Sequence, residues 1–150
     1  MLNYHIYRMK SFYTVKIESD FKYEIRKTMK IDKLHDFIWF ILLIGQYRKY
    51  VVLDNNKIIA SAIVMPKIYK FAFISEKNAV HIGPCITFPD YRNQGIYKNL
   101  LRKICLDYQE KDRYIFCSKE NIASLKGIES VGFELIGEGK KGRLGIYKFI

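Results

Sequence analysis

The sequence predicts a single α/β domain built on a mixed, mostly antiparallel central sheet with flanking helices. Three observations lead there. Two β-rich runs joined by "DNN" read as an antiparallel hairpin, residues 79–118 read as strand–helix–strand, and a further helix precedes a closing pair of strands. With 150 residues, 49% of them hydrophobic, and with 12 Tyr and 10 Phe, the chain can bury one ordinary core and is unlike a disordered sequence. No stretch has the composition of a linker, a repeat or a low-complexity tract.

The elements follow in order. "YTVKIE" (residues 13–18) alternates as a strand does. The charged residues 19–30 read as a short helix or a loop. "DKLHDFIWFILLIG" (32–45) reads as a helix with Asp32 as N-cap and Gly45 just past its end. It is apolar nearly all round, so it belongs in the core, with a homodimer face or a substrate wall as the other readings of residues 37–44. "RKYVVLDNNKIIASAIVM" (48–65) is the hairpin, with Asn55 and Asn56 at the turn because Asn tolerates left-handed backbone. "NAVHIGPCITF" (78–88) is the next strand, which Gly83 and Pro84 should interrupt as a bulge.

After Gly95, the residues Ile96, Leu100, Leu101, Ile104, Cys105 and Tyr108 recur at helical spacing. "RYIFCS" (113–118) is a short strand. "NIASLKGIESVGF" (121–133) is a helix capped by Asn121 and ended near Gly132, and "FELIGEGKKGRLGIYKFI" (133–150) forms two strands around a Gly- and Lys-rich turn. The unit over 79–118 requires a locally parallel strand pair.

The formal net charge of +11, from 26 Lys and Arg against 15 Asp and Glu, favours an anionic partner. The basic residues are scattered rather than gathered on one element, so a nucleic-acid module ranks below a phosphate pocket. Cys85, Cys105 and Cys117 sit in apolar contexts without CxxC spacing, which suits buried thiols in a reducing, cytoplasmic compartment. His5 and His35 show no ligand spacing and no carboxylates cluster, so no metal is expected. The N-terminus lacks a signal-peptide core, and no apolar run reaches the roughly 18 residues of a membrane span.

The site candidate is "GPCITFPDYRNQGIYKNLL" (83–101). A helix starting at Gly95 would turn the main-chain amides of Gln94 to Lys98 into one concavity, helped by the helix dipole. Gly95 has no Cβ to hold a ligand off, and Arg92 and Lys98 add positive charge. That combination suits a diphosphate.

With the bulged strand before it and a strand, "NxxS" helix and "GF" after it, this stretch resembles the GNAT superfamily of acetyl-CoA-dependent N-acetyltransferases. Arg92 and Gly95 match the family's phosphate motif, Asn121 its asparagine and Gly132-Phe133 its "GF", while Tyr97 replaces a small residue. The resemblance covers about residues 48–150. It divides the one domain into a divergent N-terminal part (1–45) and a cofactor-binding core (46–150).

The resemblance implies that acetyl-CoA, as cosubstrate, lies in a splay between the bulged strand and "RYIFCS". Its pantetheine would pair with the backbone of Cys85, Ile86 and Thr87, and its diphosphate with Arg92, Asn93, Gln94, Gly95, Ile96, Tyr97 and Lys98, with Asn121 also among the cofactor-binding residues. A backbone amide near Ile86 or Thr87 would hold the oxyanion. His81, where some members place a glutamate, becomes the candidate base. The family's acid tyrosine falls on Ile128, so Ser124 and Tyr97 are the candidates for that role. The implied activity is acetyl transfer to a primary amine of a small molecule. Family members linked to surface polysaccharide synthesis, whose "GPC…PDYR…GIY" is similar, suggest an amino sugar. A non-catalytic CoA-binding or regulatory protein of the same fold is the alternative.

Overall fold

The computed structural model describes residues 3–28, 47–66, 78–141 and 147–149. Eight strands form one sheet: β1 (Asn3–Met9), β2 (Glu24–Thr28), β3 (Arg48–Asp54), β4 (Lys57–Pro66), β5 (Ala79–Thr87), β6 (Asp112–Ser118), β7 (Glu134–Lys141) and β8 (Tyr147–Phe149). Among the described residues two α-helices, α1 (Ile96–Asp107) and α2 (Ile122–Val131), fall on either side of β6 in the chain. The sheet order is β2-β3-β4-β5-β6-β1-β7-β8. Only β5 and β6 pair in parallel among the described strands, as a strand–helix–strand unit requires.

The hairpin stands where the sequence puts it. Asn55 (φ 47°) and Asn56 (φ 66°) both adopt left-handed backbone between β3 and β4. The bulge is also present. Ala62 faces Cys85 and Val64 faces Ile82, so Gly83 and Pro84 on β5 oppose the single residue Ile63 on β4. Helix α1 buries Ile96, Leu100, Leu101, Ile104 and Cys105 against β3, β4 and β5. Each large apolar side chain removed from water there contributes about 1.5–3 kcal/mol.

Two expectations for the N-terminal part fail. Residues 13–18 form no strand; the first strand is β1, over Asn3–Met9. It pairs antiparallel with β6 on one side and β7 on the other, so Ile6, Tyr7 and Met9 are buried and the surface-strand alternation disappears. In "YTVKIE" only Val15 joins the core, and Glu18 turns away to bond α1. The charged residues 19–30 contain an edge strand, β2, rather than a helix or loop alone. Its exposed, polar sequence "EIRKT" is what a sheet edge tolerates. The apolar helix expected over 32–45, with its dimer face and His35, lies outside the described residues.

The far end of α1 is closed by a residue with no sequence signal. Arg113, fully buried on β6, donates from its guanidinium to the carbonyls of Cys105 (3.0 Å) and Tyr108 (3.4 Å), and also to Lys10. A cation there answers the unpaired carbonyls and negative dipole of a helix C-terminus. Among the described residues, no helix is long and apolar enough to cross a membrane.

Candidate functional site

The parallel ladder between β5 and β6 runs only from Ala79 opposite Asp112 to Ile82 opposite Ile115. Beyond it β5 stays paired with β4 through Cys85, Ile86 and Thr87, while its other edge parts from β6. The bulge at Gly83-Pro84 bends β5 at this point. The opening leads into a cleft of about 1090 Å³ between the end of β5, the start of α1 and the outer face of α2. Arg92, Asn93, Gly95, Ile96, Tyr97 and Lys98 line it on one side, Cys85, Ile86 and Thr87 on another, and Asn121 and Ser124 on the third. Gln94 is the exception: its side chain donates to the Asp90 carbonyl (3.2 Å) and accepts from the Tyr23 hydroxyl (2.7 Å).

Helix α1 begins without a side-chain cap. Its first intrahelical bond is donated by Asn99 to the Gly95 carbonyl (3.0 Å), so the amides of Ile96, Tyr97 and Lys98 have no acceptor within the helix. Gly95 is left-handed at φ 72°, a conformation that costs other residues about 1–2 kcal/mol. A Cβ there would meet Glu18 at 3.5 Å and Asn99 at 3.6 Å, both ordinary contacts. The position therefore asks for glycine because of its backbone angle, more than for want of space.

Behind the turn stands a clip that the sequence did not reveal. Asn99 is fully buried; its amide donates to the Glu18 carboxylate (2.9 Å) and to the Gly95 carbonyl (3.2 Å). Its oxygen accepts from the Glu18 main-chain amide (3.0 Å), and Arg102 pairs with the same carboxylate at 2.5 Å. The hydrogen bonds from Arg102 and then Asn99 hold the Glu18 carboxyl below its usual range. The segment around Glu18 thus braces the turn from the side away from the cleft.

Tyr97 occupies the seam between the helices. A Cβ on Gly127 would stand 2.8 Å from the Tyr97 ring, so the ring lies on bare α2 backbone. Glycine in a helix interior costs about 1 kcal/mol relative to Ala, and this contact accounts for it. That cost was the one signal in the sequence that pointed to the pair. Tyr97, Cys85, Asn121 and Ser124 also line a smaller hollow that continues into the splay. Burial, and then the Cys85 and Cys117 thiols, raise the Tyr97 hydroxyl well above the phenol range, while a hydrogen bond with Ser124 opposes the rise.

Helix α2 starts differently. The Asn121 side chain accepts from the Ser124 amide (3.2 Å), an ordinary N-cap. Of the residues lining the cleft, Arg92, Lys98 and Lys126 are cationic and none is a carboxylate. Lys126 was not singled out by the sequence, where it is one lysine among many. The Arg92 Nε donates to the Thr87 carbonyl (3.3 Å), which holds the guanidinium beside the end of β5.

His81 lines neither hollow. It is buried, its ring 4.8 Å from that of Phe116, and a Cβ on Gly83 would lie 3.6 Å from its Cε1. Burial lowers its pKa to about 3, so the imidazole is neutral at pH 7 and weakly basic. Burial, followed by the neighbouring Cys117, raises the Cys85 thiol to about 12. Burial likewise raises Cys105, to about 12, and Cys117. These are protonated, structural thiols at neutral pH. Ile128, where the resemblance places a tyrosine, is fully buried in the core. No group of three or more His, Cys, Asp or Glu among the described residues could hold a metal ion.

An uncapped helix end, cations without carboxylates and an open strand edge together fit a phosphorylated, amide-bearing cosubstrate such as acetyl-CoA. The fold has many solved relatives. An acetyltransferase of the GNAT family from Colwellia psychrerythraea is 15% identical with a TM-score of 0.62, over 92% of this chain and 54% of that one. A GCN5-related N-acetyltransferase from Sphaerobacter thermophilus is 9% identical with a TM-score of 0.59, over 91% of this chain and 49% of that one. The chain thus spans about half the length of these two proteins. An aminoglycoside N-acetyltransferase in complex with CoA is 15% identical with a TM-score of 0.54, over 74% of this chain and 91% of that one. No curated protein matches the chain. The model of the acetyltransferase (GNAT) family matches residues 10–133, well over half of the sequence, and the chain therefore belongs to that family.

Proposed function

We propose that the protein transfers an acetyl group from acetyl-CoA to a primary amine of a small molecule. The observation that carries this reading is the uncapped start of α1, opening into a cationic cleft beside the parted edge of β5. Bound there, acetyl-CoA supplies a thioester open to attack by an amine. The amides of Ile96, Tyr97 and Lys98, with Arg92, hold the diphosphate. The free edge of β5 at Cys85 to Thr87 takes the pantetheine amides as an added strand would, and an amide at Ile86 or Thr87 faces the developing oxyanion.

Tyr97 and Ser124, which line the hollow in the splay, would flank the departing sulfur. A phenol with its pKa raised is a weaker acid than a thiol of pKa about 8.5, so complete proton transfer from Tyr97 runs uphill. Its role is to donate a hydrogen bond to the departing sulfur, with Ser124 beside it. The proton that the thiolate finally takes is the one the amine gives up. Transfer of that proton to a buried His81, with its pKa lowered to about 3, likewise runs uphill, so solvent in the open cleft is the proton acceptor we propose.

An amino sugar is the acceptor we propose. The similarity of "GPC…PDYR…GIY" to polysaccharide-associated members supports it, as do fold neighbours named aminoglycoside acetyltransferases. The one observation favouring a non-catalytic CoA-binding protein is Ile128, a core side chain at the position of the family's tyrosine. Calorimetry with CoA, followed by thiol release from acetyl-CoA with amino sugars, polyamines, amino acids and peptides, separates the readings. Binding with turnover on an amino sugar is expected. Binding with silence across the whole panel establishes the non-catalytic reading.

A further inference from the structure

The positive groups of the cleft fall into two sets. Arg92 is tied to the Thr87 carbonyl, next to the open end of α1. Lys98 and Lys126 lie along the seam between the helices: the Lys98 Cγ is 4.0 Å from where a Gly127 Cβ would stand, and Lys126 precedes that glycine. Lys98 acts on the Glu18 carboxyl, whose pKa it helps to lower, but Lys126 makes no ion pair with a described residue. Two ammonium groups on one concave wall without a lining carboxylate repel each other and concentrate anions between them. The uncapped α1 end and Arg92 already suffice for one diphosphate, so the seam lysines are surplus to it.

We infer that Lys126, with Lys98, forms a second anion subsite that takes a phosphomonoester, the 3′-phosphate of the coenzyme. The inference rests on the CoA reading above and adds to it a basis for choosing CoA over its dephosphorylated form. An ammonium on a flexible stem suits such a group, because a terminal phosphate accepts from many directions and needs no forked donor. The other source of the same chemistry is a phosphate on the acceptor, and the test distinguishes the two.

Calorimetry at low ionic strength would compare CoA with 3′-dephospho-CoA on the wild-type protein, on Lys126→Gln, and on Lys103→Gln. Lys103 pairs with Asp107 at the far end of α1, so its variant controls for overall charge. CoA should bind the wild type about tenfold more tightly than dephospho-CoA, on the scale of one charge-assisted contact. In Lys126→Gln that preference should collapse toward unity through weaker CoA binding, with dephospho-CoA unaffected, while Lys103→Gln keeps it. An unchanged preference in Lys126→Gln overturns the inference and leaves the phosphate of an acceptor as the partner of the seam. Equal losses for both ligands overturn it too, placing Lys126 on the diphosphate. If the wild type binds neither ligand at millimolar concentration, the CoA reading itself falls.

Discussion

Helices α1 and α2 both begin at the cleft, and they begin in opposite ways. At α2 the chain supplies its own acceptor: Asn121 takes the Ser124 amide, and the end is closed. At α1 the preceding residue is a left-handed glycine with no side chain, and the amides of three residues that line the cleft are left without an acceptor in the helix. The effort at α1 goes into what lies behind it, where Asn99, Glu18 and Arg102 lock the turn. A helix end that serves only the fold satisfies itself, whereas one held open and braced from the rear is arranged for something that arrives later.

If that contrast is right, variants at the two ends should differ in what they damage. The largest effect is expected from Arg92→Glu, which places a carboxylate at the open end. CoA affinity measured by calorimetry should fall about hundredfold, or about 2.8 kcal/mol, with little change in thermal stability. Asn99→Ala strips partners from a buried carbonyl and from Glu18, so about 2 kcal/mol of stability should be lost in urea melts. CoA affinity should fall with it, because the turn loses its brace.

Gly127→Ala tests the seam. The new methyl must push the Tyr97 ring aside, a cost of about 1–3 kcal/mol that helix propensity offsets by about 1 kcal/mol. Thermal melts should show a small net loss, and acetyl transfer should fall more than CoA affinity. Asn121→Ala removes the cap of α2 along with a side chain that lines the cleft: about 1 kcal/mol of stability should go, with a smaller change in CoA affinity than at Arg92. Equal damage to binding from Asn121→Ala and Arg92→Glu would erase the distinction between the two ends.

The weakest effect concerns the wall between them. With its thiol raised to about 12, Cys85 is protonated at pH 8, and its thiolate fraction grows only as pH climbs toward that value. Iodoacetamide followed by mass spectrometry should find Cys85 unmodified in the native protein at pH 8 and modified once urea unfolds it, when an ordinary pKa of about 8.5 returns.

What could be read in the sequence was local. The Asn-Asn turn, the Gly-Pro bulge, the helical spacing after Gly95 and the cap at Asn121 are each decided by a few adjacent residues. Together they gave the core of the fold and most of the cleft. What escaped is non-local. Residues 3–9 show no clean alternation because strands on both sides bury them, and a better alternation at 13–18 drew the expectation away. Glu18 and Asn99 stand 81 positions apart, and nothing near either one announces the other. Gln94 was grouped with the diphosphate turn, but Tyr23 engages it from a segment whose course could not be foreseen.

The position of β1 also bears on how the molecule is made. Residues 3–9 leave the ribosome before either of their neighbours, 112–118 and 134–141, exists to pair with them. Throughout that interval the nascent chain carries an aromatic strand with two unsatisfied edges, and closing the sheet around it demands contacts more than a hundred residues apart. The centre of the sheet is therefore completed only after residues 134–141 have been made, although one of its strands is synthesised before the other seven described strands.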